Sequence, residues 1–144
     1  MARQIQLENY FRGIHLRFSR LYAHFFTEVD LTLPQYALLN VLDEVGKISM
    51  CEVAEKLGIT KPAVTYLVDQ LERKRLLKRM PHAKDRRIHL LEIQAKGSAL
   101  VEKAQGMMLG FMMGNLKAFN HKEKKTIGKF FETLSVRMDE VLTQ

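Results

Sequence analysis

Two stretches of this sequence gather groups that bind polyanions. One is Glu72-Arg73-Lys74-Arg75-Leu76-Leu77-Lys78-Arg79, and the other is Lys84-Asp85-Arg86-Arg87. Cations at this density suit a nucleic acid or an anionic membrane face. Immediately before them, the residues after Thr60 have the spacing of a short helix. At about 100° per residue, Val64, Leu67, Val68 and Leu71 gather on one side and must face a core. Pro62, Tyr66, Asp69 and Arg73 lie opposite, with Lys61, Thr65 and Gln70 nearer the flanks. Thr, Tyr, Gln and Arg on an exposed face offer donors and acceptors to base edges in a major groove. Lys61 and a helix N-terminus capped by Thr60 suit phosphate. The plainer alternative is a solvated helix face.

The whole chain is consistent with a polyanion partner. It has 144 residues, the size of one domain or of a small module with added helices, and its net charge is +7. Hydrophobic residues make up 47%, enough for a folded core. The longest apolar stretch, Met107 to Met113, is far short of the roughly 20 residues that span a membrane. The polar start, Met1-Ala2-Arg3-Gln4-Ile5-Gln6, lacks a secretory signal pattern, and the single cysteine excludes an intrachain disulfide. The expected compartment is the cytoplasm, with no membrane association.

The elements that position these groups can be read from caps and periodicity. Residues 5–29 form a long amphipathic helix with Leu7, Phe11, Ile14, Phe18, Leu21 and Phe25 spaced in steps of four and three. Such a face must pack on other helices or on another chain. Thr32-Leu33-Pro34-Gln35 and Ser49-Met50-Cys51-Glu52 read as capping boxes that open two further helices. The first ends at Gly46 and the second at Gly58, while Thr60 caps the helix described above. Leu76 to Arg79 and Ile88 to Ile93 read as two strands around a charged turn. The chain is helical again from Ala95 to about Lys117 and from His121 onward, where Ile127, Phe130, Phe131, Leu134, Met138 and Val141 share one side. The fold class is mainly α: a winged helix-turn-helix flanked by helices at both ends.

The ordered set of motifs resembles the MarR family of bacterial winged helix-turn-helix regulators. It comprises Leu33-Pro34-Gln35-Tyr36-Ala37-Leu38-Leu39, Val53-Ala54-Glu55-Lys56-Leu57-Gly58-Ile59, the run from Val64 to Glu72, and Asp85-Arg86-Arg87. The resemblance implies a dimerisation helix over 1–31, a DNA-binding lobe over 32–94 and dimerisation helices over 95–144. It implies a homodimeric, sequence-specific repressor acting on double-stranded DNA at a pseudo-palindromic operator. Thr60, Lys61, Pro62, Thr65 and Tyr66 would enter the major groove, with Arg73 near the backbone. Arg87 would enter the minor groove, oriented by Asp85, with Lys84 and Arg86 on phosphates. A narrow A·T-rich minor groove attracts a guanidinium, and a carboxylate fixes its plane. Three positions depart from the family pattern: Arg75 where Gly is frequent, Gln94 where Thr usually caps, and Tyr66 where Arg is frequent. The last bears on the operator sequence.

The family pattern also implies a small, often aromatic effector, for which His15, Tyr22 and Tyr36 are the candidate polar contacts. Gly106, Gly110 and Gly114 recur every fourth residue in a Met-rich helix, which suggests close packing at a dimer interface or a deformable apolar pocket. Cys51 is expected to be a packed, inert thiol. His15, His24, His82, His89 and His121 have no metal-ligand spacing, and no nucleophile–base or phosphate-loop motif appears. No cofactor, metal or enzymatic activity is therefore expected. The rival readings are a weakly specific architectural DNA binder, a protein-interaction module on the same scaffold, and a redox sensor acting through Cys51.

Overall fold

The computed structural model describes residues 2–143, with side chains from Gln6 onward. Its elements run α1 (Ala2–Glu28), α2 (Leu33–Val45), β1 (Ile48–Ser49), α3 (Met50–Leu57), α4 (Lys61–Arg73), β2 (Leu77–Pro81), β3 (His89–Ile93), α5 (Ala95–Leu116) and α6 (His121–Leu142). Backbone contacts divide the chain into two units, Met1–Met108 and Leu109–Gln144.

The helix starts follow from their caps. Thr32 Oγ1 accepts the Gln35 amide at 3.3 Å while Gln35 Oε1 accepts the Thr32 amide at 3.0 Å. Ser49 and Glu52 repeat this arrangement at 3.2 and 2.7 Å. Each box satisfies two amides that a helix N-terminus otherwise leaves unpaired. Both bonds from Ser49 lower the Glu52 pKa, its backbone amide having the largest effect. Thr60 Oγ1 accepts from Ala63 at 3.4 Å and starts α4. A further box, Asn120 with Glu123, opens α6 and was not anticipated from the sequence.

In the first unit, the apolar sides of α2, α3 and α4 close on a core that includes Leu38, Leu39, Leu42, Val53, Val64, Val68 and Leu71. The end of α1 adds Phe26 and Val29, and α5 adds Val101 and Ala104. Beside this core lies an antiparallel sheet in the order β1-β3-β2, with Ile48 opposite Leu91 and Leu77 opposite Ile93. The two-residue β1 was not anticipated, because two residues carry no alternation to read. Lys78 and Lys47 both pair with Glu92, at 2.9 and 3.3 Å, and lower its pKa, Lys78 having the larger effect.

The exit from α4 sets where the hairpin begins. The Leu76 amide bonds back to the Leu71 carbonyl at 2.9 Å and the Arg75 amide to Glu72 at 2.9 Å. That is a Schellman turn, and it needs a left-handed residue at position 75. Arg75 occupies it with φ 58°, where glycine would carry no β-carbon penalty. The Leu76 carbonyl then accepts the Gln94 amide at 2.8 Å, closing the base of the hairpin. Gly97 in the first turn of α5 packs directly on this point. A β-carbon there would overlap the Leu76 carbonyl oxygen and lie 2.9 Å from Ile93 Cγ1.

In the second unit, α6 carries no buried residue. Phe130, Phe131, Met138 and Val141 are all exposed, and the Phe130 and Phe131 rings meet edge-on at 5.6 Å.

Two stability changes follow. Gly97→Ala is expected to lower the free energy of unfolding by about 1–3 kcal/mol, the cost of overpacking against backbone that cannot withdraw. Arg75→Gly is expected to raise it by up to about 1 kcal/mol, since it removes the left-handed penalty from a preserved turn. Urea unfolding monitored by circular dichroism measures both; an unchanged midpoint in Gly97→Ala would refute the packing account.

Candidate nucleic-acid interface

A helix, a tight turn and a second helix present the first half of the site. α3 ends at Gly58, whose φ of 61° makes the left-handed cap, and Ile59 and Thr60 lead straight into α4. Val64, Leu67, Val68 and Leu71 are all buried, as their spacing requires. Lys61, Pro62, Thr65, Tyr66 and Arg73 are exposed on the other side, and Tyr66 keeps 62% of its surface open. Thr60 sits at the head of this face, its hydroxyl committed to the cap.

Several polar groups on or beside α4 are already bonded within the chain. Thr65 Oγ1 donates to the Lys61 carbonyl at 3.1 Å, and Arg73 Nε donates to the Asp69 carbonyl at 3.2 Å. Gln35 Nε2 donates to Gln70 Oε1 at 3.0 Å, with Gln35 only 5% exposed. Gln70 is thus bonded toward α2 through its Oε1. Asp69, expected on the outer face, is tied with Glu72 to the guanidinium of Arg79. Burial acts to lower the Arg79 pKa, but the bonds to Asp69 and Glu72 outweigh it and the net shift is upward.

Arg79 is the structural contact beside this face that sequence reading missed. It is three-quarters buried at the side chain and joins β2 to α4. A signal existed: two acids at i and i+3 of α4, followed by an arginine in the next strand. In the sequence, that arginine is one cation among many in a basic run.

The hairpin carries the second half. The turn is closed by His82 donating from its amide to the Ile88 carbonyl at 3.0 Å and by the Ile88 amide donating to the Asp85 carbonyl at 3.1 Å. The Arg87 amide donates to Asp85 Oδ1 at 3.0 Å, and its guanidinium reaches both carboxylate oxygens at 3.2 and 3.5 Å. Asp85 therefore sits below its ordinary pKa, held down first by the Arg87 backbone amide and then by the Arg87 side chain. The Arg87 side chain is 91% exposed, and Lys84 and Arg86 are exposed beside it. The result is a cation bonded to Asp85 on an open hairpin tip.

The candidate effector residues divide. Tyr22 stacks on Phe18 at 5.8 Å, and Tyr36 packs on Phe26 at 4.9 Å, with its pKa raised chiefly by burial. His15 is exposed further along α1. A cleft of ≈ 500 Å³ lies elsewhere, lined by Thr27, Asp30, Thr32, Gln70, Arg73 and Lys74, among others. Cys51 is exposed rather than packed, because Val53 and Ala54 take the core side of α3. Among the described residues, no group of three or more His, Cys, Asp or Glu could hold a metal, and no helix is long and apolar enough to cross a membrane.

A helix-turn-helix followed by a basic antiparallel hairpin defines a winged helix-turn-helix protein. Residues 29–88, about two fifths of the chain, match the MarR family. The uncharacterised HTH-type transcriptional regulator YhbI of Bacillus subtilis is 27% identical over 99 residues, covering 69% of this chain and 64% of its own. The HTH-type transcriptional repressor YetL of the same organism is 26% identical over 132 residues, covering 88% and 79%. The chain thus spans just under two thirds of YhbI and about four fifths of YetL. Among solved structures, the YusO protein of B. subtilis superposes with a TM-score of 0.84 at 21% identity, over 92% of this chain and 94% of that one.

Carboxylate NMR checks the Asp85–Arg87 unit. Asp85 is expected to titrate below its ordinary value, and Arg87→Ala should move it only part of the way back, because the amide bond at residue 87 survives. A depressed carboxylate favours the folded turn above its ordinary pKa and ceases to do so as pH falls through the depressed value. The turn should therefore keep its geometry at neutral pH and loosen only in acid. An Asp85 titration insensitive to Arg87→Ala would refute the guanidinium contact.

Proposed function

We propose that the chain is a sequence-specific DNA-binding transcriptional regulator, a ligand-responsive repressor that acts as a homodimer on a pseudo-palindromic operator. The observation that carries this reading is the Asp85–Arg87 unit, an oriented and almost fully exposed guanidinium on the hairpin tip. A guanidinium so held fits a narrow minor groove. The exposed N-terminal turns of α4 are the part of a recognition helix that meets base edges. In this reading Thr60, Lys61, Pro62, Thr65 and Tyr66 lie in the major groove, and Arg73 lies near the backbone. Lys84 and Arg86 bind phosphate, and Arg87 enters the minor groove with Asp85 behind it. YetL is named a repressor, and the net charge of +7 supports a polyanion partner.

The helices of 1–31 and 95–144 form the dimer in this reading, and 32–94 form the DNA-binding lobe. Leu7, Phe11 and Ile14 on α1 and the exposed phenylalanines of α6 are apolar faces that one chain leaves open. Burying them against a second copy removes that area from water. A small aromatic effector would enter near Tyr22 and Tyr36, and it can act only through different affinities for two lobe spacings.

Fluorescence anisotropy on DNA upstream of the protein's own gene, against a shuffled duplex and across a salt series, tests the reading. We expect the native duplex to bind about a thousandfold tighter or more. Arg87→Ala should weaken native binding about 10- to 100-fold. Lys84→Ala should weaken both duplexes alike and reduce the salt slope by about one. Equal binding to both duplexes would favour an architectural role, and no binding at low salt would overturn the reading.

A further inference from the structure

We infer that α4 reads thymine methyl groups, so that the major-groove part of each half-site is defined by T·A pairs rather than by guanine. This rests on the DNA-binding reading above and adds what that site recognises. The argument starts from which side chains of α4 remain available. Direct readout of guanine uses Arg or Lys on O6 and N7, adenine is read by Asn or Gln, and cytosine by an acid. The acid on the outer face, Asp69, is held by Arg79. The glutamine, Gln70, accepts from the buried Gln35. The arginine, Arg73, lies in the last turn with its Nε on the Asp69 carbonyl, far from the N-terminal turns that meet base edges.

What the N-terminal turns expose is different in kind. Thr65 donates its hydroxyl hydrogen to the Lys61 carbonyl, which uses its one donor and leaves its methyl group and an acceptor oxygen. Pro62 offers an apolar ring and no amide hydrogen. Tyr66 offers an aromatic ring with 62% of the residue exposed. These three positions, 62, 65 and 66, share one side of the helix at i, i+3 and i+4 spacing. Together they form a small apolar surface, and the apolar group that a base pair presents in the major groove is the C5-methyl of thymine. Lys61, in the first turn, is a flexible point charge suited to a phosphate oxygen.

The test begins with selection of duplexes from a random pool by the full chain, followed by affinity measurements on the enriched site. Each thymine of a half-site is then replaced in turn by deoxyuracil, which removes the methyl and leaves the pairing edge intact. We expect at least two positions per half-site at which binding weakens about fourfold per methyl, the equivalent of one buried carbon. Tyr66→Ala should abolish the thymine-over-uracil preference at one of them, while Tyr66→Phe should keep it, because the ring and not the hydroxyl does the reading. Both variants alter an exposed side chain, and their unfolding midpoints are measured alongside. An enriched site that binds equally with uracil, or whose contacted positions are guanines, overturns the inference and leaves the regulator reading standing. Failure of any duplex to enrich overturns the regulator reading itself, and the inference with it.

Discussion

The guanidinium of Arg79 sits between Asp69 and Glu72, two carboxylates one turn apart on α4, and the placement of the hairpin against that helix depends on this contact. Arg79 belongs to β2, opposite Leu91 in the sheet, so the contact fixes the direction in which the hairpin leaves the helix. Its side chain is 26% exposed, where a charge pair is less screened than at the open surface. Removing Arg79 would leave two part-exposed carboxylates one turn apart without their cation. The net upward shift of the Arg79 pKa has the same cause: two acceptors outweigh the desolvation. Hairpin and α4 are therefore joined twice within a few residues, by the Schellman turn at Arg75 and by this ion pair.

That double joint explains why the left-handed arginine is tolerated. Position 75 must have positive φ for the Leu76 amide to return to Leu71, and the cost for a residue with a β-carbon is about 1 kcal/mol. The surrounding bonds and the burial of Leu76 and Leu77 over-determine the turn, so the strain persists.

Much of the fold was legible in the sequence because its signals are local. The two capping boxes at Thr32 and Ser49, the left-handed glycine at 58 and the buried stripe of α4 depend on residues within one or two turns of each other. The Asp85–Arg87 bond, two residues apart, is local in the same sense. What escaped notice is mostly non-local. Arg79 acquires its meaning from carboxylates seven and ten residues earlier across a turn, and Gln70 from a partner thirty-five residues away. Cys51 was expected to be a packed, inert thiol, but the register set by Ser49 gives the core side to Val53 and Ala54 and leaves Cys51 exposed. The Asn120 box was an exception, local in form but overlooked in a polar run. Among the described residues, a β-carbon on Gly106, Gly110 or Gly114 would meet nothing within 4 Å.

Commitment of polar side chains to internal bonds has a consequence for recognition. A recognition helix with free Arg, Asn or Gln near its start gains specificity from bidentate hydrogen bonds, each demanding alignment with one base. This helix has tied Asp69 to the hairpin and Gln70 to α2, which fixes its own orientation at the expense of readers. On the proposed reading, discrimination comes from apolar shape in the major groove and from Arg87 in the minor groove. The two mechanisms point to the same kind of DNA. Thymine methyls require A·T pairs, and a narrow minor groove that attracts a guanidinium is itself a property of A·T tracts. The departure at Tyr66 from the commoner arginine is, on this account, a change in what is read and not a loss of reading.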